Sequence, residues 1–203
     1  MQVSTDFNID QETFLRLERQ ASEPYNRFTY RDYEEFDMLR RFLFERGLCE
    51  FSHPYGRVLV DGGRVVAMMA CLSAEDLLRS RTLAALAISQ LDYFRQNKRL
   101  QRRLHLASTT LIKPKKGDFY LARIAIANSL GQRGIGHYLL AHYEAEARKL
   151  GDRRLILEVD PRNRAAVSLY RKVSFQDGVT YRVTDPDSGR SLEYLHMSKS
   201  LQF

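Results

Sequence analysis

Cysteine is scarce in this sequence. Its two cysteines, Cys49 and Cys71, stand in apolar stretches with no CxxC spacing, so neither a disulfide framework nor a zinc site is expected, and a reducing, cytoplasmic setting fits. Long apolar runs are missing too. Arg, Asp or Gln interrupts each candidate well short of the roughly 18 residues that a membrane helix needs. The opening MQVSTDFNIDQE has no basic n-region and no apolar h-region, so a secretory signal is not expected there. Repeats and low-complexity tracts are also lacking, which removes solenoids and linker-joined arrays. What remains is a chain of 203 residues, the size of one domain or of one domain carrying an insertion. Its 44% apolar and 11% aromatic content supplies a core and argues against disorder. The net charge of +7 suits an anionic ligand without choosing among nucleotide, nucleic acid and lipid headgroup.

Asn8 or Asp10 can cap a first helix running through Phe14, Leu15 and Leu17 to about Arg19. Glu23-Pro24-Tyr25-Asn26 reads as a turn. A second helix is expected over about 31–46, with Phe36, Leu39, Leu43 and Phe44 at helical spacing and Gly47 past its end. Asp61-Gly62-Gly63 between apolar runs at 57–60 and 65–72 signals a hairpin. From 73 to about 106 the chain reads as helical and basic. Arg79, Arg81, Arg95, Lys98, Arg99, Arg102 and Arg103 outnumber Glu75, Asp76 and Asp92, and Lys113, Lys115 and Lys116 follow. A solvated helical face is the simpler reading; a nucleic-acid or membrane surface is the other.

The pattern then changes to strand (119–126), loop (128–133) and a helix from Gly134 to Gly151 with Ile135, Leu139, Tyr143 and Ala147 on one stripe. A strand at 154–159, a helix at about 164–172 and two strands near 179–183 and 192–197 complete the chain. This order predicts an α/β class fold, a mixed sheet with helices on its faces.

Gly131-Gln132-Arg133-Gly134-Ile135-Gly136, between a strand and a helix, suits a phosphate: glycines let the backbone approach, and the first helical amides have no internal partner. A Rossmann fingerprint fails because Leu139 stands where the third glycine is needed, and a P-loop fails because Gly136-His137 replaces its GK[ST] ending. A coenzyme A pyrophosphate site or an unliganded turn remains.

With Asn163-x-x-Ala166-x-x-Leu169-Tyr170 and Phe175 downstream, the chain resembles the GCN5-related N-acetyltransferases (GNAT), closely over about 120–176 and by element order elsewhere. Two departures are visible: Gly131 replaces the Gln or Arg that opens the family's loop, and Ser174 replaces the glycine before the final Phe. The resemblance implies a single acyl-CoA N-acyltransferase domain over 1–203, with the stretch at about 73–106 as a helical insertion between the third and fourth strands. It implies direct acetyl transfer from acetyl-CoA to an amine acceptor of unknown identity, without a metal. Ile124, Ile126, Gly131, Gln132, Arg133, Gly134, Ile135, Gly136, His137, Asn163 and Tyr170 then hold the cosubstrate, with the Ile126 amide polarising the thioester. Tyr170 becomes the acid that protonates the departing thiolate. Glu158 becomes the base, because Leu157-Glu158-Val159 with Tyr170 twelve residues beyond Glu158 looks like the members that acetylate the N-terminus of a ribosomal protein. Tyr120, His137 and Glu193 are weaker candidates. A non-catalytic acyl-CoA-binding sensor of the same fold is the alternative, nucleic acid and membrane are not expected partners, and a homodimer stays open.

Overall fold

Asp10 caps the first helix: its Oδ1 accepts from the Thr13 amide at 2.8 Å, and α1 (Gln11–Ala21) buries Phe14, Leu15 and Leu17. The structure, a computed structural model, describes residues 2–4, 9–48, 50, 55–127 and 134–202. Cys49 and residues Gly131, Gln132 and Arg133 lie outside the described residues. The expected turn at Glu23-Pro24-Tyr25-Asn26 is instead helix α2 (Glu23–Thr29). Pro24 sits in its first turn, where a missing amide costs nothing because it would have no intrahelical partner. Helix α3 (Tyr33–Glu45) follows, capped by Asp32 on the Glu35 amide at 2.9 Å.

Among the described residues, seven strands form one mixed sheet: β1 (Gln2–Ser4), β2 (Gly56–Asp61), β3 (Arg64–Ser73), β4 (Asp118–Ile126), β5 (Arg154–Val159), β6 (Gln176–Thr184) and β7 (Ser191–Ser200). Their order is β1-β2-β3-β4-β5-β7-β6. Neighbours are antiparallel except β4 and β5, which are parallel and joined through helix α7 (Ile135–Leu150). The short β1 is an addition to the sequence reading. Between β3 and β4 the chain forms α4 (Ala74–Ser89), α5 (Asp92–Gln96) and α6 (Lys98–Ser108), and helix α8 (Arg164–Lys172) follows β5. No helix among the described residues is long and apolar enough to cross a membrane.

A hydrophobic cluster covers each face of the sheet. One holds Ile135, Leu139, Tyr143 and Ala147 of α7 with Val167 and Tyr170 of α8; the other holds the apolar faces of α1, α3 and α4. The stripe read from the sequence of α7 is thus a core stripe, and Ile135 serves the fold with its side chain.

The β3–β4 register slips between Ala70, opposite Arg123, and Cys71, opposite Leu121, which leaves Ala122 as a bulge. Because strand side chains alternate, the extra residue exchanges the faces. Phe119 and Leu121 lie in the α7/α8 cluster and Tyr120 in the other, whereas beyond the bulge Ile124 and Ile126 pack toward α7 and α8.

The basic stretch is not uniformly solvated. Arg103 is 2% exposed and donates from Nε to Asp185 at 2.9 Å, while Arg102 pairs with Asp185 at 3.0 Å and with Asp187. These pairs fasten α6 to the β6–β7 turn. The solvated-face reading fails for these two and for Arg81 because each meets a carboxylate that is remote in sequence.

Candidate active site

Parallel pairing of β4 with β5 runs from Asp118↔Arg154 to Leu121↔Leu157 and stops there, one residue before the bulge. Beyond that point β4 keeps its ladder with β3, and β5 keeps its ladder with β7. A gap therefore opens in the middle of the sheet. The Ala127 amide donates to Val66 O at 2.8 Å, so by alternation the backbone groups of Ile124 and Ile126 face away from β3, into the gap. Gln20 of α1 confirms this direction, since its Nε2 donates to Ile126 O at 2.8 Å.

Helix α7 starts beside the gap. Gly134 is its N-cap with a left-handed φ of 73°, a conformation that disfavours other residues. The first intrahelical bond is Tyr138 N to Gly134 O at 3.1 Å, so the amides of Ile135, Gly136 and His137 have no partner within the helix. His137 is exposed at the opening. Gly136 has a packing role as well: a Cβ there would stand 2.7 Å from Leu169 Cδ2. On α8, Asn163 is the N-cap, its Oδ1 accepting from the Ala166 amide at 3.1 Å. Tyr170 is 5% exposed, its ring 5.9 Å from that of Phe175, and among the described residues its hydroxyl has no hydrogen-bond partner. Burial pushes its phenol above the ordinary value, so it keeps its proton at neutral pH. Ser174 takes a left-handed φ of 72°, a conformation that glycine adopts readily.

Glu158 sits on the other face. Its Oε2 accepts from Tyr120 Oη at 2.5 Å and its Oε1 from the Ile112 amide. Each oxygen retains a lone pair. Arg81 of α4 closes the ring, with Nη2 donating to Tyr120 Oη at 3.3 Å, Nη1 to Ile112 O at 3.2 Å and Nε to Glu50 Oε1 at 2.6 Å. Burial, and next the Glu158 carboxylate, push the Tyr120 phenol well above its usual value, which keeps it a donor. Burial works to raise Glu50, but Arg81, with Arg123 and Arg40, outweighs it and holds that carboxyl below its usual range.

One cavity of about 1260 Å³ joins the two faces. It reaches Ile124, Ile126, Gly134, Gly136, His137, Asn163 and Tyr170 on one side, and Glu158, Tyr120, Glu50 and Arg81 on the other. Glu193, on β7, is not among its lining residues. Sequence reasoning missed Gln20, Glu50 and Arg81; Arg81 contacts Glu50 and Tyr120 at separations of 31 and 39 residues, which no local spacing announces. Cys71 is buried at 3% exposure, away from the cavity, its thiol pushed up by burial and by Glu146. No group of three or more His, Cys, Asp or Glu side chains able to hold a metal occurs among the described residues.

A family model for the acetyltransferase (GNAT) family matches residues 13–175. No curated protein matches the chain. Among solved structures, an N-acetyltransferase from Staphylococcus aureus Mu50 superposes with a TM-score of 0.68 at 17% identity, over 98% of this chain and 100% of the other. The ribosomal-protein-S18-alanine N-acetyltransferase from Escherichia coli gives 0.56 at 18% identity, over 100% of this chain and 94% of the other. A Bacillus subtilis acetyltransferase in complex with CoA gives 0.57 at 14% identity, over 99% of both chains. At such identities the likeness is one of fold.

Proposed function

This chain belongs to the acetyltransferase (GNAT) family, and on that premise we propose that it transfers an acetyl group from acetyl-CoA directly to a primary amine. The observation that carries this reading is the placement of Tyr170 and Glu158 on opposite faces of the sheet, open to one cavity through the gap between β4 and β5. The residues present fit the cosubstrate. The backbone of Ile124 and the amide of Ile126 offer polar groups to an extended amide-bearing arm, and the amides of Ile135 to His137, which have no partner within the helix, suit a pyrophosphate.

Acetyl-CoA supplies a thioester carbonyl and a thiolate leaving group. The Ile126 N–H donates to the carbonyl oxygen as negative charge grows there. Glu158 takes a proton from the acceptor's ammonium, whose ordinary pKa is about 10.4, and so frees the lone pair with which the amine attacks, while Tyr120 and the Ile112 amide hold the carboxylate in place. Tyr170, whose hydroxyl has no other partner among the described residues, gives its proton to the sulfur, and the second proton that the nitrogen sheds as the amide forms restores the phenol.

The test is CoA release from acetyl-CoA over a panel of amines. Acceptor-dependent release by the wild-type chain, abolished in Glu158→Gln, supports the reading. Tight acetyl-CoA binding with no transfer to any amine would instead make the chain a binding module.

A further inference from the structure

Arg81, Ala84, Ala85 and Ile88 are spaced i, i+3, i+4 and i+7 on α4, so they share one face of that helix, and all four line the cavity. Arg81 is tied to Tyr120 Oη, which is in turn hydrogen-bonded to Glu158. The apolar part of the face therefore begins one turn from Arg81, which is two hydrogen bonds from the group assigned as base. From Ala84 to Ile88 it runs four residues, roughly 6 Å at about 1.5 Å each. Phe94 of α5 and Leu104 of α6 also line the cavity.

The charges on the cavity wall are already matched. Its carboxylates, among the described residues, are Glu23, Glu50, Asp160 and Glu158. Glu23 pairs with Arg27, Glu50 with Arg81 at 2.6 Å and Asp160 with Arg162 at 2.8 Å. That leaves Glu158 to receive one ammonium, and no unpaired carboxylate to receive a second. A second cation would lose water without gaining a partner, which costs more than an apolar body placed on an apolar wall.

We propose, resting on the transferase reading above, that the acceptor is a small primary monoamine with an apolar, ring-sized body lying along α4. Diamines, polyamines and peptide N-termini are then the poorer acceptors: the first two bring unmatched charge, and the last lays backbone polar groups along Ala84, Ala85 and Ile88, whose side chains offer them no partner.

The experiment measures kcat/KM for 2-phenylethylamine, butane-1,4-diamine and a short alanine-initiated peptide, with CoA release as readout. The wild-type chain is expected to favour phenylethylamine over each of the others by at least about tenfold, the scale of apolar discrimination in a pocket. Ile88→Glu places a carboxylate on the same face and should lower the phenylethylamine-to-diamine ratio at least about tenfold, with acetyl-CoA affinity by calorimetry unchanged. An active enzyme that prefers the diamine or the peptide overturns the acceptor class and leaves the transferase reading standing. A folded Ile88→Glu chain with an unaltered ratio also overturns it. Absence of release with all three amines, despite acetyl-CoA binding, removes the transferase reading and this inference with it.

Discussion

Tyr120 Oη lies 2.5 Å from Glu158 Oε2, joining β4 to β5 one residue before their ladder stops. Tyr120 keeps its proton and so aims the carboxylate without competing for the role of base. Glu158→Gln should lower kcat by roughly 10² or more, in the range of general-base contributions. Tyr120→Phe, which removes the hydrogen bond to the Glu158 carboxylate and the longer one from Arg81, should cost about tenfold in kcat/KM. In the Glu158→Gln background the Tyr120 change should add little, because its effect passes through the carboxylate. Additive losses in steady-state kinetics would separate the two residues.

Asp185 is fully buried with Arg103, Arg102 and Ser188 around it. The Ser188 hydroxyl foremost, then Arg103 and Arg102, hold its carboxyl at about 2 against the opposing effect of burial, below its ordinary 3.8. A depressed folded-state value stabilises the protein above about pH 4, and that contribution is lost as pH falls toward 2. Asp185→Asn should reduce stability by about 3 kcal/mol, the cost of orphaning buried charges, and flatten the acid limb of Tm against pH between 4 and 2. Replacing Arg102 and Arg103 should likewise appear in the melting curve, and the ratio of acceptors used should stay the same.

Ser174 holds a left-handed conformation with φ of 72°. Glycine tolerates that region without the Cβ clash, so Ser174→Gly should stabilise the chain by about 1 kcal/mol in denaturant unfolding. A neutral or destabilising result would mean that the serine side chain offsets the backbone strain.

At Gly136 the added methyl of alanine would come within 2.7 Å of Leu169 Cδ2, at the crossing of α7 and α8. That contact is the far end of a half-buried leucine side chain, which can turn aside, so Gly136→Ala should cost no more than about 1 kcal/mol. Pairing it with Leu169→Ala should give a loss smaller than the sum of the two single changes, read from a double-mutant cycle of unfolding free energies.

Much of this architecture was legible because its signals are local. The Asp10 cap, the Ala166–Tyr170 register and the α7 stripe are set by neighbours within two turns, and the hairpin at Gly62-Gly63 by two residues. Helix α2 was misread because Pro24 marks a turn and a helix start alike. The bulge at Ala122, which turns Ile124 and Ile126 toward α7 and α8, depends on pairing with β3 across more than fifty residues. Arg81 looked like one more cation on a basic face. Its value as a positioning group exists only once Glu50 and Tyr120 are brought beside it.

The central claim is that Tyr170 protonates the departing thiolate, and Tyr170→Phe tests it most directly. The hydroxyl has no partner among the described residues, so its removal leaves the packing against Phe175 intact and stability nearly unchanged. With a true acceptor and chemistry limiting, kcat should fall by roughly 10² or more while acetyl-CoA affinity by calorimetry stays the same, the pattern of an interaction made only in the transition state. Turnover by the Phe variant within about twofold of wild type would show that the sulfur leaves without this proton, and would contradict the account.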